Sequence, residues 1–274
     1  MKAPRSDTGT GTGTGTGTPR PTSLSVAAGI LRTVFTPPRR PFSGPSFAAV
    51  AVLAVLVSVL AGCSLIAPVE PAPGSPPASA LDDLLARVAV VPERPDVPGY
   101  QRSCKQGDGC VFGPAWTDDH DGPGGHDGCG TRDNVLALSL TDVQFRPGTN
   151  DCVVVAGTLA DPYSGEVLPF TKQNANEVQI DHVYPLAAAW DMGAAAWPLE
   201  TRIRFANDLD VNLMAVSGAE NQAKSDKTPA DWLPPDPAYH CFYVGRYLTA
   251  AVSYGLPVTA ADRDAMAAVS AGCP

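Results

Sequence analysis

Val178-Gln179-Ile180-Asp181-His182-Val183-Tyr184-Pro185 is the stretch that decides how this chain is read. Apolar and polar residues alternate up to an Asp-His pair, and a proline follows; this is the pattern of a half-buried strand that stops. Val211-Asn212-Leu213-Met214-Ala215-Val216 reads as a second short strand, and Ser217-Gly218-Ala219-Glu220-Asn221-Gln222-Ala223-Lys224 as the start of a helix. Ser217 is placed to cap that helix, and Glu220 three residues later completes a capping box. Residues 178–227 are therefore expected to run strand, strand, helix, with Asp-His ending one strand and Asn221 in the first helical turn.

In the order Asp181-His182, Asn212, Asn221, Lys224, this segment resembles an HNH endonuclease of the ββα-metal (His-Me finger) superfamily. Its Asp-His-x-x-Pro form at 181–185 is similar to a secreted bacterial branch that shares its motif with the C-terminal nuclease domains of GmrSD-type restriction enzymes. The HNH domain of RNA-guided CRISPR nucleases shows the same order. The likeness covers roughly the last two thirds of the chain. It implies an α+β fold in which a ββα-metal core carries a helical insertion and C-terminal helices, stapled by disulfides.

Cutting a phosphodiester needs an activated water, a cation for the developing charge and stabilisation of the leaving oxygen. His182 suits the general base, because imidazole abstracts protons near neutral pH. By the resemblance, Asp181 and Asn221 bind a divalent metal; their oxygen donors, with water filling the rest, suit Mg²⁺, with Mn²⁺ as the alternative. The resemblance also makes Asn212 the residue that ties the loop between the strands and aims His182. Lys224, one turn after Asn221 on the same helical face, is expected to act on the phosphate, with Lys227 a weaker second. Gly128-Cys129-Gly130-Thr131-Arg132 looks like the segment that precedes the nuclease core in secreted relatives, which makes Arg132 a further phosphate contact; Gly130 stands where those relatives carry Asp. Asp181 and His182 alternate across the strand, so both serve one site only if the strand end twists.

Each of these features taken singly has a bland reading, as a capped strand end or as turn asparagines. Together, Asn212 thirty residues after His182, Asn221 nine further on and Lys224 another three on carry the assignment.

Upstream, the near-continuous apolar run 47–62 follows Arg39-Arg40 and ends in Leu60-Ala61-Gly62-Cys63. A basic region, an apolar core and small residues make a secretory signal, and the ending resembles a lipobox that would lipidate Cys63. Residues 1–62 are thus expected to be a leader with a lipoprotein signal, 63–98 a Pro/Ala-rich tether with a short helix, and 99–274 the nuclease domain. The chain would then sit, exported, on the outer face of a bacterial membrane through its lipid, or be secreted.

The leader holds six basic residues and one acidic, which leaves 13 basic and 27 acidic side chains, a net of −14, on the remainder. Such a balance counts against tight nonspecific binding of polyanions, but not against a metal-assisted site acting on one phosphate.

Six further cysteines, an even number in an exported chain, imply three disulfides among 15 possible pairings. Order along the chain suggests Cys104–Cys110, Cys129–Cys152 and Cys241–Cys273. No Cys-x-x-Cys pair is present, so a zinc ribbon is not expected.

The turn-rich loop 104–130, with Asp118, Asp119, His120, Asp121, His126 and Asp127, does not match an EF-hand and reads as a solvated acidic loop. Helices are expected at 132–140, 186–192, 198–208, 228–232, 238–254 and 260–270, the last capped by Thr259. Strands at 151–157 and 166–170 are expected to extend the catalytic sheet. No base-reading module is recognisable. The reading is a metal-dependent endonuclease acting on DNA, with RNA a second candidate, with little sequence preference and no protein partner. The alternatives are a noncatalytic cell-surface binding module on the same scaffold and a hydrolase of another phosphoester.

Overall fold

The computed structural model describes residues 69–103 and 110–274. The leader, the lipobox with Cys63, and Cys104 lie outside them. Among the described residues no helix is long and apolar enough to cross a membrane. The fold mixes α and β and holds two disulfides between described cysteines, Cys129–Cys152 and Cys241–Cys273. Cys110 is also disulfide-bonded.

Its elements are α1 (Ala78–Arg87), β1 (Val90–Val91), α2 (Thr131–Ser139), β2 (Leu140–Phe145), β3 (Val154–Ala160), β4 (Val167–Thr171), β5 (Val178–His182), α3 (Leu186–Asp191), α4 (Leu199–Ala206), β6 (Leu213–Ser217), α5 (Gly218–Lys224), α6 (His240–Tyr254), β7 (Val258–Thr259) and α7 (Ala260–Ser270).

The antiparallel hairpin β5–β6 is the middle layer. Ile180 faces Ala215, Asp181 faces Met214 and His182 faces Leu213 across the ladder. Because strand side chains alternate, each register pair looks to one side. Val178, Ile180, Leu213 and Ala215 enter a core of ten buried residues with α2, β3 and β4. Met214 and Val216 enter a larger core of 25, built mainly from α1, α3, α4, α6 and α7.

Strands β2, β3 and β4 form their own antiparallel sheet and do not extend the hairpin, contrary to expectation. Cys152 precedes β3 rather than lying in it. Residues 228–232 turn without forming a helix: the Thr228 carbonyl takes N–H groups from Asp231 and Trp232, and Pro234-Pro235 forbid continuation.

The expected tether is laid down from Ala72 onward. The Ala72 amide donates to the Ala238 carbonyl and the Ala78 amide to that of Pro274, and Pro76 sits over Gly245 on α6. Helix α6 ends where Gly255 takes a left-handed conformation (φ 64°). Helix α7 opens with a full capping box between Thr259 and Asp262.

Candidate functional site

β5 ends at the Asp-His pair because Asn212 takes over the chain. The Val183 amide donates to the Asn212 carbonyl (2.8 Å) and the Tyr184 amide to its Oδ1 (2.9 Å). Its Nδ2 reaches back to the Phe205 carbonyl at the end of α4 (3.4 Å). Asn212 is fully buried and so clamps both the residues after His182 and the insertion that covers it.

Asp181 looks towards α5. Lys224 Nζ donates to its Oδ1 at 3.0 Å and to the His182 carbonyl at 3.0 Å, and Tyr163 OH donates to Oδ2 at 2.5 Å. Lys224 and Tyr163 have no exposed surface, and Asp181 is 4 % exposed. Burial pushes the Asp181 carboxyl above its ordinary value, opposed by the Lys224 ammonium and the Tyr163 hydroxyl. Burial likewise lowers the Lys224 ammonium, with Asp181 opposing.

Helix α5 can approach this closely because it starts on Gly218; a Cβ there would lie 2.0 Å from the Asn176 carbonyl oxygen. Ser217 caps it by accepting the Glu220 amide, the half of the expected capping box that forms.

His182 looks the other way. Its Nε2 pairs with the Ala206 carbonyl at 2.9 Å, so that nitrogen carries the proton and Nδ1 is the free acceptor. The Trp116 indole stacks on the ring, centroids 5.5 Å apart and planes 12° from parallel. Trp116 has φ 55°, a strained conformation for a bulky side chain, held as its carbonyl accepts the Thr131 amide. Burial, then the Arg102 charge, lowers the imidazole to about 3, the Ala206 bond opposing, so His182 is neutral near pH 7.

Both residues nonetheless line one cleft of about 560 Å³, together with Gln179, Asn221, Tyr100 and Arg102. Asn221 Nδ2 donates to Gln179 Oε1 (2.9 Å), which leaves its Oδ1 as the donor atom it can offer a cation. Arg102 is exposed and makes no hydrogen bond or ion pair to another described residue.

The other expected cations lie elsewhere. Arg132 donates to the Ala175 and Val178 carbonyls (3.1 and 2.9 Å), where it ties α2 to the start of β5. Lys227 reaches the Ala223 carbonyl and lines a different depression. Lys224 is committed to Asp181 and does not line the cleft.

Tyr163 and Arg102 were missed, and each sits in a turn or loop with no periodic pattern to single it out. In the acidic loop, Asp118 is a hub that accepts the Asp127 and Gly128 amides, and His120 is buried. Among the described residues no three His, Cys, Asp or Glu side chains gather to hold a metal.

An Asp-His pair thus closes one strand of a hairpin, and an Asn-bearing helix follows the hairpin directly. Residues 130–269 match the family model of the GmrSD restriction endonucleases, C-terminal domain, and the chain belongs to that family. It is also 36 % identical over 208 residues to an uncharacterized secreted protein of Arthroderma benhamiae, an alignment spanning 76 % of this chain and 91 % of that one. No solved structure matches.

Proposed function

We propose that this chain is an exported, metal-dependent HNH-type endonuclease that hydrolyses phosphodiester bonds of DNA, and of RNA as a second substrate, with β5, β6 and α5 as its ββα-metal core. The observation that carries the reading is the pairing, in one cleft, of a neutral histidine whose tautomer is fixed by the Ala206 carbonyl with the carboxylate of Asp181. His182 Nδ1 takes the proton of the attacking water. Ala206 stabilises the imidazolium that results, and Asn212 keeps the ring's backbone from drifting. Arg102, the cation left free at the cleft among the described residues, grips the phosphate in the place expected of Lys224 and Arg132.

The donor set fits a hydrated ion with few protein ligands. Two hydrogen bonds on Asp181, from Tyr163 and Lys224, leave about two of its roughly four lone-pair sites open, and Asn221 Oδ1 is the second donor. Mg²⁺ binds in this manner, Mn²⁺ being the alternative, and when bound supplies charge neutralisation on the phosphate. Lys224 and Tyr163 fix the Asp181 carboxylate in place and limit the positions it can offer.

The rival reading, a noncatalytic surface module, draws on the net charge of −14 outside the leader. The exported protein, disulfides intact, is to be incubated with plasmid, single-stranded DNA and RNA, with Mg²⁺ and with chelator, alongside His182→Ala. Cleavage that needs both Mg²⁺ and His182 is expected; no cleavage of any substrate hands the fold to the rival. Export has the secreted relative behind it. Lipidation at Cys63 is checked by mass analysis of the N-terminus, where an unmodified start at any other residue refutes it.

A further inference from the structure

Gln179 lines the cleft with Asp181 and Asn221. It stands two residues before Asp181 on β5, so the two side chains leave the strand on the same side. Its amide is bonded at both ends. Nε2 donates to the Asn176 carbonyl at 3.3 Å, and Oε1 accepts from Asn221 Nδ2 at 2.9 Å. The polarity of this chain of bonds is set from the backbone outward. A peptide carbonyl only accepts, so the end of Gln179 that meets Asn176 is its nitrogen. Its oxygen then faces Asn221, which must answer with its own nitrogen and keep Oδ1 for the cleft. An Asn221 amide turned the other way would present two N–H donors there, and these repel a cation. Gly218 leaves room for the arrangement: a Cβ at that position would lie 2.0 Å from the Asn176 oxygen and 3.0 Å from Gln179 Nε2.

Resting on the metal-dependent reading above, we infer that Gln179 is a positioning residue for the divalent cation: it holds Asn221 with its carbonyl oxygen turned to the ion that Asp181 shares. Gln179 acts through Asn221 and has no need to touch the ion. An unrestrained asparagine would have to give up its rotamer freedom when the ion arrives, and ordering one flexible side chain weakens binding about three- to tenfold. Asn176 and Gln179 complete that ordering in the folded chain beforehand. Gln179 is only half-buried, so replacing it should disturb the core little. Lys224 and Tyr163, which have no exposed surface, offer no such separation of ion binding from folding.

Titration of the exported protein, disulfides intact, with Mn²⁺ tests this without any cleavage assay. Free Mn²⁺ is read by electron paramagnetic resonance, with Mg²⁺ as competitor. Gln179→Met keeps the length of the side chain and loses its amide. It should weaken Mn²⁺ binding about three- to tenfold and leave the urea midpoint of the metal-free protein unchanged. Gln179→Glu still accepts from Asn221 and should bind no more weakly than the parent. In an Asn221→Ala background Gln179→Met should have no further effect, because the two residues act as one unit. Unchanged binding in Gln179→Met, or the same loss with and without Asn221, overturns the inference and leaves the nuclease reading intact. Equal weakening by Met and Glu, or a Gln179→Met protein that fails to fold, overturns it too, the side chain then serving only to hold the chain at Asn176. A parent protein that takes up neither ion removes the metal site itself, and the metal-dependent nuclease reading falls with it.

Discussion

The hairpin that carries Asp181 and His182 has a thin side and a thick side. The thin side is the ten-residue core under β2–β4, held by Cys129–Cys152; the thick side is the 25-residue core of helices, held by Cys241–Cys273. Asp181 looks into the thick side, where Tyr163 and Lys224 have shut it in. His182 looks past the thin side, buried between the Trp116 indole and the Ala206 carbonyl. The contrast separates a carboxylate locked by two charged or polar side chains from an imidazole held by an indole and a backbone carbonyl, with Nδ1 left unbonded.

The largest effect expected is on the thin side. His182→Ala should lower cleavage about 10²–10⁴-fold, as for a lost general base, while the urea midpoint moves less than for any change at Lys224. Unchanged cleavage would remove the functional half of the contrast. On the thick side, Lys224→Met strands a buried carboxylate, and urea denaturation should read a loss of about 3–5 kcal/mol. Should that variant be as stable as the parent, Asp181 is not shut in as described.

The two disulfides close loops of similar length, 23 and 32 residues apart in sequence, so each should contribute about 3 kcal/mol by chain entropy. Their functional consequences should differ. Cys129→Ser with Cys152→Ser frees the segment beside Gly130, whose neighbour Thr131 holds the Trp116 carbonyl, and should reduce cleavage at temperatures where the protein remains folded. Cys241→Ser with Cys273→Ser should lower the melting temperature and leave cleavage of the folded fraction unchanged. Equal activity losses would erase the distinction between the two sides. The smallest effect is expected of Lys227→Ala, whose exposed ammonium reaches only the Ala223 carbonyl: less than about 0.5 kcal/mol in stability and no change in KM.

Strand, strand and helix at 178–227 were legible because a period of two and a serine cap are local signals. Strand pairing is not local, and so β3 and β4 were assigned to the wrong sheet. Lys224 illustrates a second limit: three residues after Asn221 fixes its helical face but says nothing of depth, and depth decides whether an ammonium meets a phosphate or a buried aspartate. Tyr163 stands in an Asp-Pro-Tyr-Ser-Gly turn, where only the folded chain reveals that its hydroxyl reaches Asp181. The two disulfides between described cysteines follow chain order, and the helices at 240–254 and 260–270 follow their caps.

Residues 72–91 are completed by residues 238–274. Val90 pairs in parallel with Val258, the Ala78 amide meets the Pro274 carbonyl, and Asp82 accepts the Ser270 hydroxyl. A chain threaded outward from its N-terminal end would therefore hold an unfinished first helix until the final turn of α7 had emerged. Closure of the domain is thus tied to the arrival of its last helix.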